Sequence, residues 1–260
     1  MKTTTPRALP TPEPAADPHP DPVFRGPPGA LQGVDGCRGG WLVITAPALP
    51  CAAAELHWQL LESLQPALAA PGLALTAVDM PVGLAEAGPR RCDQEARRLL
   101  GPRRSSVFPA PLRPCLAAST YAEACALSAA ASGRRLSQQA YNLLPRIRQL
   151  DGLLQAEPSL RPRVWEVHPE LAFRQWNGGV PMAEAKKTAA GASQRGALVE
   201  AWLPGAAAAI RASLRRGLVA DDDILDALAC LWSAGRLRRG EALTLGGDPD
   251  RTGLPMRISA

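Results

Sequence analysis

With 260 residues, 46% of them hydrophobic, the chain is long enough for one large domain with a filled core. Its formal net charge of +5 and sequence pI near 9.1 come from arginines spread along the chain rather than run together, only a weak pointer to a polyanionic partner. Six cysteines without a C-x-x-C pair speak against a structural zinc site, and no apolar run approaches a membrane span or signal-peptide core, so a soluble, cytoplasmic protein with no membrane partner is expected.

Residues 1 to about 30 are proline-rich and poor in large apolar groups, which predicts a disordered tail, His19 included. "LQGVD" and "WLVITA" follow as two strands joined by a Gly-rich turn, and "AELHWQLLES" is a third strand in hairpin order. A short helix covers "LQPALAA", and "LALTAVDMPVG" is a buried fourth strand stopped by Pro81 and Gly83. From Glu86 to about Leu160 the pattern is helical. "RVWEVHP" is a fifth strand ended by Pro169. A basic stretch, "KKTAAGASQR", leads into the helix "RGALVEAWLPG", and the last helix runs from about Asp222 to Arg239 with Gly240 as its stop.

This order predicts an α/β fold: a mixed five-stranded sheet, its first three strands antiparallel, flanked by helices, with a helical insertion at about 86–160 between strands four and five. Residues 31–260 then form a single domain.

Acids sit where such a sheet places its functional crevice. Asp35 lies in the first strand, Asp79 ends the fourth, and Glu166 sits within the fifth. "ADDDILDALACLW" opens the last helix. Asp221 and Asp222 suit a helix start, whereas Asp223 and Asp226 share a face three residues apart and call for another partner. Like charges about 4 Å apart repel by about 4 kcal/mol at an effective dielectric near 20, so converging carboxylates take up protons or a divalent cation. An all-oxygen set suits Mg²⁺ or Mn²⁺, and two such ions about 4 Å apart serve phosphodiester cleavage.

Other groups carry two readings. His168, two residues from Glu166, is expected on the same face, as a proton shuttle or as a half-buried ring bonded to backbone. "GPRRSSVFPAP" gathers Arg103, Arg104, Ser105, Ser106 and Phe108 in a loop suited to gripping a phosphate backbone and stacking on a base. Lys187 and Arg195 are candidate phosphate contacts, while Lys186 reads slightly better as a solvated charge. Glu86 and Glu95 are rival acids just past the fourth strand.

"GVDGCRGGW", "VDMPVGL", "RRCDQEARRLLGPRRSSVF", "LSQQAYNLLPRI", "WEVHPELAF", "KKTAAGASQR" and "DDDILDALA" together resemble one family, the predicted RNase H-like nucleases classed as domain of unknown function number 429. The aspartate pair of the last helix is similar to that of the Holliday-junction resolvases. The resemblance implies an RNase H-like fold in which Asp35 and Asp79 bridge the metals, Glu166 holds the second metal or its water, and Asp223 or Asp226 completes the shell.

The expected function is therefore Mg²⁺- or Mn²⁺-dependent, two-metal phosphodiester hydrolysis of nucleic acid. The alternatives are a nucleic-acid-binding protein on the same scaffold that cleaves nothing, and a hydrolase of a small phosphorylated nucleotide. None of these motifs specifies DNA over RNA, strandedness or oligomeric state.

Overall fold

The computed structural model describes residues 28–260, so the expected disordered tail lies, through residue 27, outside the described residues. Ala30–Cys37 (β1) and Gly40–Ala46 (β2) form the expected hairpin around the Arg38–Gly39 turn. His57–Leu61 (β3) adds antiparallel to β2. The short helix Gln65–Leu68 (α1) then leads into Leu73–Asp79 (β4), which pairs parallel with β1.

Between β4 and the fifth strand lie three helices: Arg91–Leu100 (α2), Tyr121–Ser132 (α3) and Gln138–Ala156 (α4). Val164–Glu166 (β5) is only three residues long and pairs parallel with β4. The sheet order is β3-β2-β1-β4-β5, a mixed sheet of five strands with the first three antiparallel.

Pro169–Trp176 (α5), Ala189–Trp202 (α6), Ala206–Ser213 (α7) and Asp221–Arg239 (α8) follow, and α8 ends on Gly240 in the left-handed region, φ 70°. Two features stand beyond those expected. One is α7; the other is the closing hairpin of Thr244–Pro249 (β6) and Pro255–Ser259 (β7), tied to the sheet by a bridge between Val167 and Ser259. Helix α6 also starts inside the basic stretch expected to precede it, with Thr188 accepting the Gly191 N–H at its start.

Period-two alternation gives each strand one side chain per face in turn. Leu31, Cys37, Leu42, Ile44, Leu75 and Ala77 pack with α8, α5 and α2 in the larger core. Val34, Trp41, Val43, Val78 and Val164 pack on the other face with α1 and with Ile147, Leu150 and Leu154 of α4. The segment 86–160 is thus divided: α4 covers one face of the sheet and α2 joins the core on the other. Only α3, the start of α4 and the turn over residues 113–117 make a cluster of their own.

Helix α8 lies directly on β1 at Gly33. A Cβ at that position would stand 2.2 Å from the Ala227 carbonyl oxygen and 2.3 Å from the Leu231 nitrogen, so only glycine permits this approach. It brings the acidic first turns of α8 to the carboxyl end of β1.

Candidate active site

Asp35 and Asp79 are register partners on the parallel β1–β4 pair and therefore project from the same face, on strands about 4.8 Å apart. Asp35 is 6% exposed, yet neither carboxylate accepts a hydrogen bond from any described residue. Burial pushes the Asp35 carboxyl well above its ordinary range, and Asp79, Asp226 and Asp223 push it further. Burial likewise raises Asp79 to about 8, with Asp226 and Glu166 adding to it and Lys186 opposing. A buried and a partly buried acid side by side without donors form the kind of arrangement that a divalent cation relieves.

Helix α8 supplies the opposite wall. Asp226 is buried, and its Oδ2 accepts a 2.6 Å bond from the Lys186 ammonium. Asp222 stands 3.7 Å from the same nitrogen. Burial presses the Lys186 ammonium down, but Asp226, Asp79 and Asp35 outweigh it and hold its pKa above the ordinary value. Asp223 serves the helix start after all: its Oδ2 accepts the Ala220 N–H at 2.7 Å, and burial raises its carboxyl. Asp35, Asp79, Asp223, Asp226 and Lys186 line one cleft of about 310 Å³ at the carboxyl ends of β1, β4 and β5.

Glu166 stands at the rim of this cleft but is placed differently from the expected metal ligand. It pairs with Val78, one residue before Asp79, so its side chain leaves the sheet on the face opposite to the aspartates. There it meets Arg90, which donates to both of its oxygens at 2.7 Å, while the Val82 N–H adds a third bond of 2.7 Å to Oε2. Arg90 also grips Asp93, at 2.6 Å, and the Val82 and Gly83 carbonyls. Burial raises the Glu166 carboxyl to about 6 against the pull of Arg90. Glu166 fastens β5, the loop after β4 and α2 together.

His168 fits the second of its two readings, a half-buried ring bonded to backbone, although it does not continue the strand of Glu166. Strand β5 has ended before it, and the ring caps α5: Nδ1 accepts the Glu170 N–H at 3.2 Å, which leaves Nε2–H to donate to the Ser106 carbonyl at 3.3 Å. Burial lowers its pKa, in keeping with that neutral tautomer. The ring lines the cleft and steadies residues 101–106, which form a short 3-10 helix where a loop was expected.

The expected substrate contacts divide. Ser105, Ser106 and Phe108 line the cleft. Arg103 instead donates to the Met182 and Ala183 carbonyls, and Arg104 is exposed outside the lining. Arg195 is buried, with Nη2 at 2.5 Å from Glu170 and further bonds to the Glu184 and Gly191 carbonyls, so it joins α6 to α5 and does not reach the cleft. Lys187 is exposed outside the lining; its neighbour Lys186 is the lysine in the site. Of the rival acids, Glu86 is exposed and Glu95 accepts the Gly246 N–H at 2.9 Å. Gln139 and Leu143 of α4 also line the cleft.

Among the described residues no group of three or more His, Cys, Asp and Glu side chains forms a ready ligand set for an ion. Asp35 and Asp79 offer two carboxylates. That number fits Mg²⁺, which keeps several waters and binds through one or two carboxylates plus substrate oxygens.

All six cysteines are free thiols, and among the described residues no helix is long and apolar enough to cross a membrane. The family model described as "Protein of unknown function (DUF429)" matches residues 33–251. No curated protein and no solved structure matches the chain.

Proposed function

The chain belongs to the DUF429 family, and we propose that it is an RNase H-like, Mg²⁺- or Mn²⁺-dependent phosphodiesterase acting on nucleic acid, most simply a nuclease. One observation carries this reading: Asp35, buried, and Asp79, partly buried, stand side by side with no donor among the described residues, facing the acids of α8 across a cleft at the carboxyl ends of the strands. The sheet order, with three antiparallel strands followed by two parallel ones and a last helix carrying aspartates against the first strand, supports the RNase H-like assignment.

Asp35 and Asp79 would hold the cation, and Asp226 and Asp223 would set the negative potential around it. A bound divalent cation supplies polarisation of a phosphoryl oxygen and a water acidic enough to attack near neutral pH. The chain's own residues do the rest. The β1–β4 ladder fixes the spacing of the two carboxylates. Ser105 and Ser106 present hydroxyls to phosphate oxygens, and Phe108, half-buried in the same loop, offers a face for a base. His168 holds that loop through Ser106. Lys186 stands ready to meet phosphate charge.

The size of the cleft favours a second reading. About 310 Å³ lies at the small end of ligand pockets and suits a single nucleotide or small phosphorylated compound better than an enclosed duplex. Incubating the purified chain with Mg²⁺ or Mn²⁺ and a panel of single- and double-stranded DNA, RNA and free nucleotides separates the readings. Divalent-dependent strand cleavage, lost in Asp35→Asn and Asp79→Asn, is the expected result. Hydrolysis of nucleotides alone would select the second reading, and binding of polymers without cleavage under either metal would leave a non-catalytic binder.

A further inference from the structure

Two ions would need carboxylates for both, and few in this cleft are free. Both Glu166 oxygens accept from Arg90. One Asp223 oxygen accepts the Ala220 N–H, and Asp226 Oδ2 accepts the Lys186 ammonium at 2.6 Å. Among the described residues Asp35 and Asp79 are the acids of this cleft without a hydrogen-bond or ion-pair partner, and Asp35 is more than nine-tenths buried and faces the cleft. They can serve one cation.

Lys186 puts a positive charge beside the acids of α8. Its nitrogen is 2.6 Å from Asp226 and 3.7 Å from Asp222, and its charge reaches both Asp35 and Asp79. The side chain is still 41% exposed, so it fronts the cleft rather than being sealed away. We infer that this site holds one divalent cation, on Asp35 and Asp79, and that Lys186 is the built-in second charge, paired with Asp226 and aimed at the non-bridging oxygens of the phosphate. This rests on the proposed phosphodiesterase reading and adds to it the number of ions and a further residue.

The test is metal stoichiometry, which needs no substrate. Mn²⁺ binding to the full chain at pH 8 is followed by isothermal titration and by the loss of the free-ion electron paramagnetic resonance signal. Wild type, Lys186→Met, Lys186→Arg and the Asp35→Asn/Asp79→Asn double variant are compared, with folding of each confirmed by circular dichroism. The expected result is one Mn²⁺ in wild type and in Lys186→Arg. Lys186→Met should bind its first ion at least about tenfold more tightly, since a like charge has been removed, and should admit a second. With Lys186→Met, the hydrolysis rate should fall at saturating metal and be partly restored in Lys186→Arg.

Two ions in wild type, or a Lys186→Met stoichiometry and affinity equal to wild type, would overturn the role of Lys186 while leaving the divalent hydrolase standing. Binding in wild type that is unchanged in the Asp35→Asn/Asp79→Asn variant, or no binding at all, would remove the hydrolase reading and this inference with it.

Discussion

Asp35 and Asp79, forty-four residues apart in sequence, occupy the same rung of the parallel β1–β4 ladder. Neither has a donor to neutralise it, so the ladder holds two acids together at a cost in stability. Asp35→Asn or Asp79→Asn should reduce divalent-dependent hydrolysis at least about a hundredfold, since even residues that only orient metal ligands are worth about 10–100-fold. Initial rates at saturating Mn²⁺ check this; a variant within a few-fold of wild type would exclude that aspartate as a ligand.

The same strain has a pH signature. Asp79 is raised from 3.8 to about 8 on folding, so its stabilising contribution is full below about pH 4 and is lost as pH rises through about 8. In EDTA, the melting temperature of wild type should fall between pH 5 and pH 8.5, and the fall should be shallower in Asp79→Asn. Adding Mn²⁺ at pH 8.5 should raise it again in wild type alone. Scanning calorimetry across the pH series tests both; equal slopes would show that Asp79 is not the source.

Arg90 and Glu166 form a buried pair with structural consequences. Arg90→Met leaves Glu166 and Asp93 buried without their cation and should cost about 3–5 kcal/mol. For a domain of this size each kcal/mol lowers the melting temperature by about 2–4 °C. Glu166→Gln should also destabilise while leaving Mn²⁺ stoichiometry unchanged. A lost ion in a folded Glu166→Gln protein would return Glu166 to the metal site.

Arg195→Met should behave as a core defect, lowering the denaturation midpoint through the buried, unpaired charge left on Glu170, whereas Lys187→Ala should stay within about 0.5 kcal/mol of wild type. Urea denaturation of the two variants makes the comparison. A silent Arg195→Met would contradict the role assigned to that guanidinium.

Phe108→Ala should weaken nucleic-acid binding by about 1–3 kcal/mol if the ring carries a base, with little change in the affinity for Mn²⁺. Fluorescence anisotropy with labelled oligonucleotides measures the loss. Unchanged binding would mean that the ring only packs the loop.

The central elements were legible because they obey short-range rules. Strands β1 to β4 alternate or run apolar between glycines and prolines, and an aspartate within such a run stands out at positions 35 and 79. Placements set by distant partners were not legible. Glu166 differs from Asp79 by a single step of register, which reverses its face, and its partner Arg90 lies 76 residues upstream. Nothing local distinguishes Lys186 from Lys187; the turn into α6 at Thr188 decides which one reaches the cleft. Arg195 looked available because Glu170, which holds it, belongs to another helix. The β6–β7 hairpin carries prolines and glycines, shows no clear apolar alternation, and is tied to the sheet by the bridge between Val167, just past β5, and Ser259.

Ala227, whose carbonyl comes so near position 33, is the immediate neighbour of Asp226 along α8. A methyl group on β1 at that point would lever the helix outward and draw two of the four acids away from the other two. The electrostatics of the cleft therefore hinge on an atom that is missing, at a residue with nothing to donate, accept or ligate.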